Sequence, residues 1–121
     1  MSQRTEKVQR LAREVLGVEI QNLKDPRMGF ATVTAVRVTP DLRHARVYVS
    51  VLGSDEEKES TMVALKSATP VLRTAVGQQV RMKYTPELVF ELDTGADEAE
   101  RLEEILHRIE AEPEADGEDR P

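Results

Sequence analysis

Apolar residues recur at two different periods along this chain, and the changes between them divide it into elements. Val8, Leu11, Val15 and Val18 fall three or four apart, with Leu16, Ile20 and Leu23 widening the stripe, while Glu6, Lys7, Arg10, Arg13 and Glu14 take the opposite side. That spacing predicts an amphipathic helix. The helix must end before Asp25-Pro26, because the proline ring pushes the preceding residue out of the α region. Asp25-Pro26-Arg27-Met28-Gly29 then reads as a turn. Gly17 lies in the middle of the helix at a cost of about 1 kcal/mol relative to Ala, which predicts a close packing contact there.

Two β-rich runs follow, 30–39 and 45–52, joined by Pro40-Asp41-Leu42-Arg43-His44, a spacing suited to an antiparallel hairpin. In the second run Ala45, Val47, Val49 and Val51 alternate with Arg46, Tyr48 and Ser50, so one face is buried. In the first, Ala31-Val33-Ala35 and Val36-Val38 sit on opposite parities, which predicts a bulge near Ala35.

Ser54-Asp55-Glu56-Glu57 has the form of a capping box and opens a second helix through Met62, Leu65 and Ala68. Pro70 lacks an N–H and would clash with the Lys66 carbonyl in a straight helix. The apolar spacing nevertheless resumes in Val71, Leu72, Ala75 and Val76. A helix kink at Ala68, Thr69 and Pro70 satisfies both observations, with Thr69 capping a new helix and Pro70 in its first position. Gly77 is placed to end it.

A third β run carries Val80, Met82, Tyr84, Leu88, Phe90 and Leu92 on one parity, and Pro86 marks it as an edge strand or a bulge. Asp97 can cap a last helix bearing Ala99, Leu102, Ile105, Leu106 and Ile109. The sequence thus predicts a folded domain over 1–110 and an acidic, disordered tail over 111–121.

Composition limits what these elements can do. At 121 residues the chain suits one domain. Its apolar content is aliphatic, with two Phe, two Tyr and no Trp, which argues against binding built on aromatic stacking platforms. The absence of cysteine excludes disulfides and thiolate metal sites. The polar start, residues 1–10, has no secretory h-region and nothing approaches a membrane span, so the expectation is a cytoplasmic protein without membrane contact.

Charge changes the picture more. The net charge of −6 is uneven: residues 1–92 hold 14 Lys or Arg against 11 Asp or Glu, and residues 93–121 hold 3 against 12. The acidity belongs to the end of the chain, and the body can present a basic face.

Catalytic chemistry finds no foothold. His44 and His107 have no partners at ligand or triad spacing, and no phosphate loop, nucleophile elbow or zinc-protease motif occurs. The carboxylates at 55–59 and 97–104 suit helix starts. No catalytic residue, metal ligand or cofactor is expected. A small enzyme of ferredoxin-like appearance would need a polar pocket that the sequence does not reveal.

The predicted order, α-β-β-α(kink)α-β plus a C-terminal helix, resembles an α+β domain of type II KH-like fold: a three-stranded sheet with helices on one face. KH modules carry G-x-x-G at the helix junction, and no two glycines here fall three apart. Four further signatures are more specific. Lys24-Asp25-Pro26-Arg27-Met28-Gly29, Thr32-Val33-Thr34, Asp41-Leu42 with Ala45-Arg46-Val47-Tyr48-Val49-Ser50, and Arg81-Met82-Lys83-Tyr84-Thr85-Pro86-Glu87-Leu88 resemble the successive signatures of the ribosome-binding factor A family. The likeness runs from about Arg4 to Ile109. Where that family has Ala-x-Gly at the junction, this chain has Ala68-Thr69-Pro70.

The resemblance implies a cytoplasmic, monomeric assembly factor that binds the immature small (30S) ribosomal subunit. It further implies contact with 16S rRNA, support of its processing including in the cold, and release that in some bacteria involves an assembly GTPase. The alternative is a KH-like protein-interaction module acting away from the ribosome. Arg4, Lys7, Arg10, Arg13, Lys24, Arg27, Lys66, Arg73, Arg81 and Lys83 are the candidate rRNA-binding residues, because cations on the body could neutralise phosphates.

Overall fold

The computed structural model of the protein describes residues 3–93 and 95. The elements are α1 (Gln3–Gln21), β1 (Phe30–Val38), β2 (His44–Leu52), α2 (Asp55–Gln79) and β3 (Glu87–Leu92). β1 pairs antiparallel with β2, and β2 pairs parallel with β3, so β2 is the central strand. The α+β class holds, and so does the order read from the sequence except that one helix stands where two were expected. The expected C-terminal helix and acidic tail lie outside the described residues.

Both helices pack on one face of the sheet. That face carries Ala31, Val33, Val36 and Val38 from β1, Ala45, Val47, Val49 and Val51 from β2, and Leu88 from β3, all in one core with Leu16, Leu65, Leu72 and Val76. The parity change in β1 is a bulge between Val33 and Ala35: Val33 pairs with Val49 and Ala35 with Tyr48, leaving Thr34 as the extra residue. The bulge turns the Thr34 hydroxyl onto Asp93, to which it donates at 2.7 Å.

α1 buries Thr5, Val8, Ala12, Leu16 and Ile20, a stripe at helical spacing. Val18, expected in that stripe, is 59% exposed because it lies beyond the edge of this face. Nor does Gly17 mark a close approach, since a Cβ added there would meet nothing within 4 Å. α1 also seals the outer edge of β1. Gln21 donates to the Ala31 carbonyl at 2.8 Å, and the Gln9 side-chain carbonyl accepts from the Val38 N–H at 2.9 Å. Two edge groups that would otherwise need water are thereby satisfied within the fold.

The capping box at α2 forms as predicted. The Glu57 N–H donates to Ser54 Oγ at 3.2 Å, and the Ser54 N–H donates to Glu57 Oε1 at 2.8 Å. Gly53 makes room for it: its φ of +138° is open to glycine, and a Cβ there would sit 2.8 Å from Glu57 Oε1.

The predicted break in α2 does not occur. One helix runs unbroken from Asp55 to Gln79 with Pro70 inside it. Thr69 is not a cap but an interior residue whose hydroxyl donates to the Leu65 carbonyl at 3.0 Å. The reason is that the apolar stripe is already continuous: Thr61, Ala64, Leu65, Leu72, Ala75 and Val76 are buried on one face across the proline. Core burial therefore outweighs the lost backbone bond, and the pyrrolidine ring sits on the exposed side. Val71 falls outside the stripe and is exposed. Gly77 lies within the helix, which ends at Val80 as C-cap.

The third β run is shorter than expected. Only Glu87–Leu92 forms a strand, and residues 81–86 lead irregularly into it. Pro86, buried, stands just ahead of an edge strand, as its missing donor requires. The Glu87 N–H then donates to the Arg43 carbonyl at 2.8 Å and starts the parallel ladder.

Candidate nucleic-acid interface

The candidate cations sort by what each already holds. Arg27 lies in the turn after α1, where Asp25 caps its backbone N–H at 2.9 Å and grips its guanidinium at 2.6 Å. That hydrogen bonding pulls the Asp25 carboxyl from its ordinary 3.8 to about 2 and raises Arg27. The turn is fastened to α2: Ser60 donates to the Arg27 carbonyl at 3.1 Å, and the Gly29 N–H donates to the buried Thr61 hydroxyl at 2.9 Å. Arg27 is therefore committed chiefly to local structure.

Arg73 is committed as well. From α2 its Nε donates to the Pro86 carbonyl at 3.1 Å and its Nη2 to the Thr85 carbonyl at 2.8 Å, with Glu87 at 3.2 Å. It fixes the irregular approach to β3.

The other candidates make no ion pair among the described residues. Lys7, Arg10 and Arg13 are exposed along α1, Lys24 is exposed beside the turn, and Arg81 is exposed just after α2. Lys66 borders a groove between α2 and β3 with Met62, Val63 and Phe90. Arg4 and Lys83 are the pair that the fold brings together, both lining one cleft.

That cleft contains two residues the sequence reading missed. Arg43, in the β1–β2 turn, lies with its guanidinium carbon 4.9 Å from the centroid of the Tyr84 ring, and Lys83 Nζ lies 5.5 Å from the same centroid. Tyr84 shares parity with Val80 and Met82 and so reads as core, yet it is 53% exposed because residues 81–86 leave the strand geometry. A basic-aromatic alternation, Arg81-x-Lys83-Tyr84, was the available signal.

On the sheet face away from the helices, Arg46 pairs with Glu91 across the β2–β3 ladder at 2.8 Å. A hydrogen bond with Tyr48, and secondarily the Glu91 charge, hold Arg46 above its usual value. Among the described residues no group of three or more His, Cys, Asp or Glu could hold a metal ion, and no helix is long and apolar enough to cross a membrane.

The arrangement is a set of exposed cations on a small aliphatic scaffold, suited to contacting phosphates. Comparison with known proteins agrees with it. The sequence model of ribosome-binding factor A matches residues 4–106. This chain belongs to the ribosome-binding factor A family. Ribosome-binding factor A of Geobacter sulfurreducens is 42% identical over 117 residues, covering 96% of this chain and 99% of that one. The crystal structure of ribosome-binding factor A from Thermus thermophilus superposes with a TM-score of 0.65 at 33% identity, covering 73% of this chain and 94% of that one. A homology model of the Thermus thermophilus factor, fitted into a cryo-electron-microscopy map of its 30S complex, matches with a TM-score of 0.62 at 30% identity, over 79% of this chain and 98% of that one.

Proposed function

We propose that this protein binds the small ribosomal subunit, contacts 16S rRNA and supports its maturation as a non-catalytic, monomeric assembly factor. The observation that carries the reading is family membership across almost the whole chain, together with the 30S complex of the Thermus thermophilus relative. The chemistry is compatible with it. Arg4, Lys7, Arg10, Arg13, Lys24, Lys66, Arg81 and Lys83 have no carboxylate partner among the described residues, so their charge is available to phosphate.

The test is sedimentation of the full chain with purified immature and mature small subunits at two salt concentrations. Binding to the immature subunit that falls steeply with salt supports the reading, because each neutralised phosphate contributes about 0.7–0.9 to the log–log slope. Absence of the protein from the subunit fractions at low salt overturns it. A strain lacking the protein is expected to accumulate unprocessed 16S rRNA, measured by the lengths of its ends.

A further inference from the structure

We propose that the cleft between the first turn of α1, the β1–β2 turn and residues 82–84 grips the RNA phosphodiester backbone, through Arg4, Arg43 and Lys83 disposed around Tyr84. The inference rests on the RNA-binding reading above and specifies where on the protein the grip lies.

Convergence is the first argument. Arg4, Arg43 and Lys83 come from three separate segments and line one cleft of about 330 Å³, within the size range of ligand sites. None of the three makes an ion pair among the described residues, whereas Arg27, Arg46 and Arg73 each hold a carboxylate. Asp41 is the one acid lining the cleft, so three cations there leave it net positive, and an anion between them relieves their mutual repulsion.

The ring supplies the second argument. Arg43 and Lys83 both lie within cation–π range of Tyr84, at 4.9 and 5.5 Å from its centroid. The negative π face attracts each cation without neutralising it. Their charge is left for a ligand, and their side chains are already partly ordered when it arrives.

The third argument is the rigidity of the turn that presents Arg43. Leu42 has φ +62°, a left-handed conformation that a branched side chain adopts only under constraint. The surroundings impose it. The Leu42 N–H donates to the Thr39 carbonyl at 2.8 Å, and the Arg43 carbonyl accepts from Glu87 at 2.8 Å. Asp41 also lines the cleft; its Oδ1 accepts from the Thr39 hydroxyl at 2.6 Å and the Arg43 N–H at 3.1 Å. Those same bonds hold its carboxyl below the usual range. The acid in the cleft thus fastens the turn and offsets one of the three cations, while Arg4, Arg43 and Lys83 stay exposed.

The experiment measures binding of the full chain to purified immature small subunits from about 50 to 300 mM KCl, with circular dichroism on every variant. The double variant Arg43→Gln/Lys83→Gln is expected to bind at least about tenfold more weakly near 100 mM salt, with a log–log slope shallower by about 1.4–1.8. Tyr84→Leu is expected to weaken binding about threefold at an unchanged slope, and Tyr84→Phe to bind like the parent. A second charge-matched variant, Lys7→Gln/Arg10→Gln, is expected to lose less than the first. If the parent binds and Arg43→Gln/Lys83→Gln binds equally well with the same slope, the cleft is not the grip. Equal losses in the two double variants also overturn the proposal, since net charge alone then accounts for binding. A parent that does not bind at any salt overturns the RNA-binding reading itself.

Discussion

Thr85 is held on two sides by α2: Arg73 Nη2 donates to its carbonyl at 2.8 Å, and a Cβ placed on Gly77 would come within 2.6 Å of its hydroxyl. One turn of α2 thereby sets the path of the chain into β3. Replacing Arg73 by Gln is expected to lower the unfolding free energy by about 1–2 kcal/mol, because two part-buried carbonyls lose a charged donor. The salt dependence of subunit binding is expected to stay as in the parent. Urea unfolding and the salt titration together check this, and a flattened slope would return Arg73 to the RNA-binding set.

The two glycines within helices are expected to respond oppositely to alanine. Gly17→Ala places a methyl in open space and is expected to stabilise by about 1 kcal/mol. Gly77→Ala meets the Thr85 side chain and is expected to destabilise despite the same gain in helix propensity. In a Thr85→Ala background the Gly77→Ala penalty should largely vanish. A double-mutant cycle in urea reads that coupling directly.

Pro70 offers a gain as well. With Ala in its place the Lys66 carbonyl regains a backbone donor, and little packing is lost because the ring is exposed. Pro70→Ala is expected to stabilise by about 1–3 kcal/mol, less whatever the proline contributes by restricting the unfolded chain. A melting temperature equal to or below that of the parent would contradict this.

Acid sensitivity follows from the depressed carboxyls. Asp25 titrates near 2 in the fold against an ordinary 3.8, so its bond to Arg27 stabilises the protein fully above about pH 4 and is lost as pH falls through about 2. Glu57, held down chiefly by the Ser54 N–H, acts in the same direction. Both are exposed and screened, so the effect is modest. Asp25→Asn should lose less stability than the parent between about pH 4 and 2, measured by chemical denaturation at fixed ionic strength.

Features governed by neighbours in sequence were the legible ones. The capping box at Ser54 and the bulge beside Ala35 each declare themselves within a few residues. At Pro70 the two scales conflict: the missing donor predicts a break, and a stripe of six buried residues spanning both sides of it keeps the helix whole. The same conflict covers Val71, which continues the apolar spacing in sequence and is exposed in the fold. At the candidate interface the exposed cations of α1 were visible from their spacing. Arg73 could be classed as structural only once Thr85 and Pro86 were seen beneath it. Arg43 and Tyr84 lie about forty residues apart, and no periodicity links a turn residue to one just outside a strand.

The central position of β2 has a consequence for how the chain is made. Its first edge meets β1 as soon as the hairpin emerges, and Gln9 and Gln21 of α1 can already close the far side of β1. Its second edge must wait for β3, whose first residue, Glu87, follows Leu52 by 35 positions. At translation speeds of about 5–20 residues per second that is an interval of roughly 2–7 s. Throughout it a valine-rich strand carries an open row of amide and carbonyl groups on the nascent chain. α2, forming directly after β2, adds Leu65, Leu72 and Val76 to the cover that α1 begins over the apolar side of that strand while its last partner is still being synthesised.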